Sequence, residues 1–184
     1  LPAVEVTGFR ETVSFGELSE FFDTTTTEYV TWLQERHHWC LARDAFIAAL
    51  AFPFPQYRPG QRDLAVAAYR VLANGGRLFL AAPTGIGKTI STLFPAVKAL
   101  GEGKVERIFY LTARTVGRAI AEKALVDLRR AGLKLRAVTL TAKEKVCVRE
   151  GHSCDPLTCP LARAYYDRVK PAIREALEHE EITR

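Results

Sequence analysis

The sequence lacks a methionine, an apolar run long enough to span a membrane, and a basic N-terminal region followed by an apolar one. Its longest apolar run, residues 45–52, ends at Pro53 and is far shorter than the roughly 18 residues of a transmembrane helix. The missing N-terminal pattern excludes a visible secretory signal, so we expect a cytoplasmic protein that does not contact the membrane. Because even an initiator methionine is missing, we expect a processed chain or a piece of a longer one.

The overall composition is ordinary for a globular protein, with 48% hydrophobic and 26% charged residues in 184. It excludes a disordered tail, a collagen-like chain and a pure coiled coil. The net charge of +5 is unevenly distributed, because residues 61–150 carry 17 basic and 7 acidic side chains. Such a block attracts nucleotide phosphates or a nucleic acid backbone, or it is simply a solvated basic face. Charge alone does not decide between these.

The first 56 residues are predicted to be mostly helical. Apolar side chains recur at spacings near three and four between residues 28 and 50, which favours one or two helices. The threonine run at residues 24–27 predicts a loop that ends in a helix cap. Three prolines and a glycine between residues 53 and 60 then indicate an irregular connection.

After residue 60, predicted helices alternate with short apolar strands. This alternation predicts an α/β fold, with a parallel sheet covered by helices on both faces. The predicted strands are residues 78–81, 107–112 and 135–140, and the predicted helices are residues 61–73, 89–100 and 115–131.

The segment Ala-Pro-Thr-Gly-Ile-Gly-Lys-Thr at residues 82–89 follows the first predicted strand and begins the next helix. Glycines let the backbone curl so that its N–H groups point at phosphate oxygens, and the following helix N-terminus adds partial positive charge. In such loops the lysine reaches the β- and γ-phosphates and the last hydroxyl ligates Mg²⁺. A chance Gly-Lys-Thr on a tight turn is the alternative. The predicted ATP-binding residues are Ala82, Pro83, Thr84, Gly85, Ile86, Gly87, Lys88 and Thr89, of which Lys88 and Thr89 are the catalytic candidates and Thr89 is the magnesium ligand.

Cys147, Cys154 and Cys159 fall within 13 residues. Thiols stay reduced in the cytosol, which favours a metal site over a disulfide. Zinc sites usually contain closer cysteine pairs, whereas thiolates hold iron–sulfur clusters at variable spacing, often with a proline after one ligand, as Pro160 here. The residues leave three alternatives open: an iron–sulfur cluster, a zinc site completed by His152, or three unligated thiols.

These motifs occur in a specific order along the chain. They resemble the XPD/DinG-like iron–sulfur DNA helicases of superfamily 2, and in particular a bacterial subgroup. The resemblance implies that the predicted α/β fold is a RecA-like P-loop NTPase lobe. It also accounts for Ala82, where the general phosphate-loop pattern has glycine. The stretches that carry the resemblance are 57–61 (Tyr-Arg-Pro-Gly-Gln), 82–89, 109–115 (Phe-Tyr-Leu-Thr-Ala-Arg-Thr), 140–147 (Leu-Thr-Ala-Lys-Glu-Lys-Val-Cys) and 159–168 (Cys-Pro-Leu-Ala-Arg-Ala-Tyr-Tyr-Asp-Arg).

Several residue roles follow from the resemblance alone. Gln61, with Arg58 nearby, would recognise the adenine. Thr112, Arg114 and Thr115 would grip the backbone of single-stranded DNA, and their alternative role is to cap a strand end at a helix start.

The resemblance further implies that Cys147, Cys154 and Cys159 are three of four ligands of a [4Fe–4S] cluster, in an insert that braces the DNA path. Residues 160–184 do not supply the fourth cysteine that the family needs, and the sequence lacks the Asp-Glu-x-His strand that the family uses for catalysis. We therefore expect the front portion of a helicase, which binds nucleotide but has little turnover on its own. Its expected parts are a helical segment at 1–56, the first part of the RecA-like lobe at 57–140, and an incomplete cluster insert at 141–184.

The function that these inferences predict is ATP-dependent DNA unwinding, with ATP, Mg²⁺ and a [4Fe–4S] cluster as cofactors. The family implies a monomer that moves 5′→3′ on single-stranded or forked DNA. Two alternatives stay open: a P-loop kinase or non-helicase ATPase, and a zinc-containing or redox-sensing regulatory module without catalysis.

Overall fold

The structure of the chain, a computed structural model, describes all residues except 1–7, 9, 114, 150, 152–153, 179–181 and 184. The chain forms two compact units, Leu1–Ala42 and Arg43–Arg184. The helices are α1 (Phe15–Ala49), α2 (Gln61–Asn74), α3 (Lys88–Gly101), α4 (Thr115–Arg130), α5 (Lys143–Val146) and α6 (Tyr165–Glu178), and the strands are β1 (Ala137–Val138) and β2 (Ile182–Thr183).

A capping box starts helix α1. The Ser14 N–H donates to Glu17 Oε2 at 2.7 Å, and the Glu17 N–H donates to Ser14 Oγ at 3.2 Å, so each residue satisfies a backbone donor of the other. The hydrogen bond from the Ser14 side chain, together with that from its N–H, holds the pKa of the Glu17 carboxyl below its ordinary value. This reciprocal pair fixes where α1 begins.

The helix predicted between residues 28 and 50 is confirmed, but the loop predicted at 24–27 is wrong. Helix α1 continues through the threonines without interruption. Side-chain oxygens in this region bond within the helix, as Thr31 Oγ1 does by donating to the Thr27 carbonyl at 2.9 Å. In the described part of the chain, no helix combines the length and apolar character needed to cross a membrane.

The three helices predicted between residues 61 and 131 are confirmed, each with ends within about one residue of those expected. Glycines with positive φ follow two of them. Gly75, at φ 77°, ends α2, and Gly132, at φ 103°, follows the end of α4. These values lie in the region that favours glycine, which explains why the sequence marked the helix ends correctly.

The hydrophobic core of the second unit lies around α3, which packs against both α2 and α4. Val97 of α3 and Leu128 of α4 are fully buried in it. Each such aliphatic side chain contributes roughly 1.5–3 kcal/mol on burial. The buried core residues are Ile47, Leu50, Ile90, Leu93, Val97, Leu100, Ala121, Ala124, Leu128 and Leu133.

The last turn of α1 is fixed to α3 by polar and steric contacts. Lys98 Nζ donates to the carbonyls of Ile47 at 2.8 Å and Ala48 at 3.0 Å in the last turn of the helix, where the Ile47 carbonyl also accepts the Leu50 N–H at 3.1 Å. Gly101 lies so close that a Cβ there would be 2.4 Å from Ile47 Cγ2. The end of α1 therefore belongs structurally to the second unit.

The prediction of an α/β, RecA-like lobe with a parallel sheet is wrong for this structure, which is mostly helical. Residues 78–81 and 107–112 have no regular secondary structure. Of the predicted strand 135–140, only Ala137–Val138 pairs, in parallel with Ile182–Thr183. This two-residue pair is the whole sheet within the described residues.

The predicted strands fail for a physical reason. A strand forms only when a neighbour supplies partners for its N–H and C=O groups, whereas a helix satisfies its own. Here the helices pack on one another, and several apolar side chains of the predicted strands face solvent, whereas Ile108 and Leu135 pack against the helical core. Phe79 is 93% exposed, Leu111 89% and Leu140 84%. Apolar composition predicted burial, but the two-residue sheet of the described residues does not include Phe79, Leu111 or Leu140.

Candidate nucleotide-binding loop and cysteine cavity

The loop at residues 82–89 has the backbone that phosphate binding requires. Gly85 and Gly87 have φ values of 85° and 87°, in the left-handed region that other residues rarely adopt. Helix α3 begins immediately afterwards, at Lys88. Free N–H groups of a helix N-terminus and the helix dipole favour an anion at this position. The local geometry is therefore that of an anion-binding loop.

Lys88 folds back over the loop from which it emerges. Its Nζ donates to the carbonyl of Ala82 at 3.0 Å and to that of Pro83 at 2.9 Å. The ammonium group thus lies across the two residues that open the loop. An anion bound by the loop N–H groups would offer it stronger acceptors than neutral carbonyl oxygens.

Hydroxyl groups fix the loop to the first turns of α3. Ser91, which is fully buried, donates to the Gly87 carbonyl at 2.9 Å. The Thr89 oxygen, the predicted magnesium ligand, accepts a hydrogen bond from the Tyr110 hydroxyl at 3.3 Å. The second of these bonds brings Tyr110, in the stretch 109–115 that carries the family resemblance, beside the loop.

Arg58 and Gln61, the residues predicted to recognise adenine, both contact the loop region. The guanidinium of Arg58 donates to the Gly85 carbonyl. Gln61 is buried, and its Oε1 accepts the Arg58 N–H at 2.9 Å. Its Nε2 lies against Gly87, where a Cβ would be only 2.4 Å away. The structure therefore brings the two predicted residues to the loop, and their recognition of adenine stays a prediction.

Sequence reasoning missed the structural role of Gln61. Its amide oxygen holds the N-terminal end of α2, while its amide nitrogen packs against the second loop glycine. A buried polar residue at a helix start, followed by a glycine-rich loop, is a weak signal for such a contact. The contact depends on how α2 packs against α3, which no local pattern reveals.

The predicted DNA contacts are only partly described. Arg114 lies outside the described residues, and only the backbone of Thr115, the first residue of α4, is described. Thr112 is exposed, and its Cβ would be 3.1 Å from a Cβ placed on Gly117. Thr112 thus lies against the first turn of α4. Binding of single-stranded DNA by these residues stays a prediction.

The three clustered cysteines line one cavity of about 740 Å³. Cys147 is half-buried, Cys154 is exposed and Cys159 is buried. In the described part of the chain, no three His, Cys, Asp or Glu side chains lie close enough together to hold a metal ion. His152, the alternative zinc ligand, is outside that part. The structure thus brings the predicted sulfurs to the same cavity without arranging them as a complete ligand set.

Cys159 has the most distinctive environment of the three. The backbone N–H of Ala162 points at its sulfur and, with smaller contributions from Leu161 and Arg149, lowers the pKa of the thiol despite its burial. A lowered pKa favours the thiolate, which is the form that binds metals. The turn around it is held by Arg168, whose Nη2 donates to the Leu161 carbonyl at 2.7 Å.

Similarity to a known protein extends over more than half of the chain. The chain is 30% identical over 111 residues to a probable ATP-dependent helicase of the archaeon Methanocaldococcus jannaschii. The match covers 60% of this chain but only 16% of the relative. No protein-family model matches the chain. No solved structure matches it significantly. The chain is therefore similar to part of a helicase, and the comparison does not identify the XPD/DinG subgroup.

Proposed function

We propose that the chain is the nucleotide-binding part of an ATP-dependent DNA helicase that acts on single-stranded or forked DNA. The observation that carries the proposal is the loop at residues 82–89, with two left-handed glycines and Lys88 at the first position of α3. Similarity to a probable ATP-dependent helicase favours an enzyme that acts on a polymer over a kinase that acts on a small molecule. Because the predicted sheet is not formed, the proposal rests on the loop and the helices around it.

In the proposed binding mode, the loop N–H groups and the α3 N-terminus receive the β- and γ-phosphates. Lys88 Nζ moves from the Ala82 and Pro83 carbonyls to these phosphates. The Thr89 hydroxyl would ligate Mg²⁺, which neutralises phosphate charge when bound. Arg58 and Gln61, already against the loop, recognise the adenine.

The proposal includes a [4Fe–4S] cluster held by Cys147, Cys154 and Cys159, with zinc as the alternative metal. Two observations fit this donor set: the three sulfurs line one cavity, and the pKa of the Cys159 thiol is lowered. The cluster would supply a rigid cross-link between turns. The cysteine residues would then hold the segment after residue 141 in one conformation.

Further details rest on the family resemblance, namely a monomer that moves 5′→3′. The chain spans about 16% of the length of the relative that it matches, so the activity of the whole helicase is itself part of the proposal. Since the sequence has no Asp-Glu-x-His motif, we expect nucleotide binding with little turnover from this chain.

The decisive experiment measures ATP binding with a fluorescent ATP analogue, in Mg²⁺ and in EDTA. Lys88→Ala should weaken binding at least about tenfold, because a hydrogen bond to a charged group contributes about 1.5–3 kcal/mol. Lys104→Ala is the matched control: it removes the same charge from an exposed residue in the turn after α3. Equal affinities for the two variants would refute the nucleotide site.

Two further measurements test the remaining parts. The first measures ATP hydrolysis with and without DNA. If DNA stimulates hydrolysis and Lys88→Ala abolishes it, the chain has a catalytic carboxylate outside the expected motif. Anaerobic absorbance spectra, with iron and zinc quantified, test the cluster. Zinc alone would refute the iron–sulfur assignment and leave the nucleotide site untouched.

A further inference from the structure

A second cavity, which neither the phosphate loop nor the cysteines line, lies where the last turn of α1 meets the turn after α4. Its volume is about 920 Å³, within the roughly 300–1,000 Å³ range of ligand pockets. Its buried lining includes Leu50 and Leu133, which are 4% and 3% exposed. Phe46, 40% exposed, stands at its edge. We call this cavity the α1/α4 groove.

The α1/α4 groove has a cationic rim. Arg129, Arg130 and Lys134 line it, and no Asp or Glu is among its described lining residues. The Lys134 ammonium lies 4.4 Å from the centre of the Phe46 ring. Arg129 Nη2 donates to the Leu135 carbonyl at 2.8 Å, which fixes the position of its guanidinium group. The groove therefore combines an apolar floor, an aromatic ring and three cations.

Helix stability explains only part of this arrangement. Arg129 and Arg130 lie in the last turn of α4, where cations complement the helix dipole. Arg130 Nη1 also lies 3.6 Å from Asp127 Oδ1, yet the Arg130 side chain is 77% exposed. Lys134 comes after the helix, and neither the dipole nor Asp127 accounts for its ammonium lying over Phe46 at the edge of an open apolar cavity. This combination points to an anionic ligand with a flat, apolar part.

We infer that the α1/α4 groove binds single-stranded DNA, with phosphates on Arg130 and Lys134 and a base in the apolar cavity beside Phe46. Proteins bind single strands by combining cations along the backbone with aromatic or apolar surfaces for the bases. The groove cations are complementary in charge to DNA phosphates, and they belong to the basic block at 61–150, which is positively charged as a whole. The inference rests on the proposed function, since it takes DNA as the polymer.

The groove is also connected to the phosphate loop through one helix. Lys88 begins α3 at the loop, and Lys98, near its other end, holds the α1 carbonyls of Ile47 and Ala48 beside the groove. A 14-residue helix is about 21 Å long at roughly 1.5 Å per residue. The two sites therefore lie near opposite ends of a single rigid element.

The test uses the whole chain and a fluorescein-labelled 15-nucleotide oligo-dT, followed by fluorescence anisotropy without nucleotide between 50 and 200 mM NaCl. The double variant Arg130→Ala/Lys134→Ala should bind about tenfold or more weakly. Its log–log salt slope should fall by about 1.4, because each phosphate contact on a single strand contributes about 0.7. The matched control, Arg70→Ala/Lys104→Ala, removes the same charge from exposed residues that do not line the groove.

A second measurement tests the base contact. An oligonucleotide with 5-iodouracil should crosslink to Phe46 on irradiation, and Phe46→Leu should remove that crosslink while circular dichroism stays unchanged. Since the ring is 40% exposed, leucine at this position should not unfold the chain.

Three outcomes would overturn the inference. Equal weakening by the two double variants would mean that diffuse basic charge binds DNA. Competition by polyglutamate at the same charge concentration would indicate an acidic protein partner instead. If the wild-type chain does not bind the oligonucleotide, both the inference and the DNA part of the proposed function are wrong. ATP binding that depends on Lys88 would not be affected by that result. Conversely, groove-dependent DNA binding without ATP binding would support the inference and refute the nucleotide site.

Discussion

The phosphate loop and the cysteine segment, residues 141–169, differ in how complete they are without a ligand. The loop already has its left-handed glycines, its helix N-terminus and a lysine held over it. In the described residues, the cysteine segment consists of turns, the short helix α5 and the start of α6, and its three sulfurs line a cavity without forming a ligand set. Both motifs were equally visible in the sequence.

The difference reflects the range over which each geometry is determined. A phosphate loop is specified by φ values at two glycines and by the helix that follows directly, so eight consecutive residues nearly suffice. A metal site requires side chains from separate turns to converge, and the ion itself supplies much of the free energy that holds them together. Under the proposed function, the first motif is folded before its nucleotide binds, and the second would be completed by its metal.

The largest effect should follow metal loading of the cysteine segment. Anaerobic reconstitution with iron and sulfide should slow amide hydrogen exchange in residues 141–169 by at least about tenfold, because the cross-link suppresses local opening. Exchange in the loop at 82–89 should not change. Equal amide exchange in the segment before and after loading would mean that the segment is folded without metal. The loop and the cysteine segment would then not differ in this respect.

The control for that experiment is a set of single cysteine variants. Cys159→Ser should abolish the added protection, while Cys40→Ser, which removes the one cysteine that does not line the cavity, should leave it intact. Loss of protection in both variants would indicate nonspecific iron binding.

Gly87→Ala should destabilise the chain by about 3 kcal/mol. Part of the cost is the left-handed φ of 87°, about 1–2 kcal/mol for an L-residue. The rest comes from displacing the Gln61 amide, which is held by its bond to the Arg58 N–H. Gly103→Ala is the control, since its φ is 68° with nothing within 4 Å of a Cβ, and it should cost about 1 kcal/mol. Urea unfolding of both variants measures the difference, and equal costs would show that the Gln61 contact is not rigid.

Gln61→Leu should cost about 1 kcal/mol and should weaken ATP binding. Leucine fills a similar volume but leaves the Arg58 N–H without its acceptor, which is a penalty of roughly this size in a partly buried site. Urea unfolding and the fluorescent ATP assay measure the two effects. A variant as stable as wild type, with unchanged ATP affinity, would show that Gln61 does not support the loop.

Tyr110→Phe should have the smallest effect, at most a few tenths of a kcal/mol in stability. The hydrogen bond that it removes is long, 3.3 Å, and Tyr110 is 42% exposed. If the bond orients the Thr89 hydroxyl toward Mg²⁺, the variant should need about two- to threefold more Mg²⁺ for half-maximal ATP binding. An unchanged Mg²⁺ requirement would show that the contact is incidental.

Local signals in the sequence correctly predicted the helices from α2 to α4 and the glycine-rich turn directly before α3. Glycines such as Gly75 and Gly132 mark helix ends because their φ values are rarely accessible to other residues. The same conformational argument located Gly85 and Gly87 in the loop. These features depend on a few consecutive residues, which is why they can be read from one sequence.

Features that depend on distant partners could not be predicted. Residues 78–81 and 107–112 have the apolar composition of strands, but strand formation depends on neighbours, and the helices pack on one another instead. The contact of Gln61 with Gly87 and the bonds from Lys98 to the end of α1 likewise arise from helix packing. The α1/α4 groove belongs to this class, because its walls are about 80 residues apart in the sequence.

The contact between Gln61 and Gly87 has a consequence for genetics. A revertant screen that starts from Gly87→Ala could recover a shorter side chain at position 61, which would remove the steric overlap. Such a suppressor would leave the backbone at a φ that alanine rarely adopts. Suppression should therefore be partial, and full recovery should require restoration of glycine at position 87.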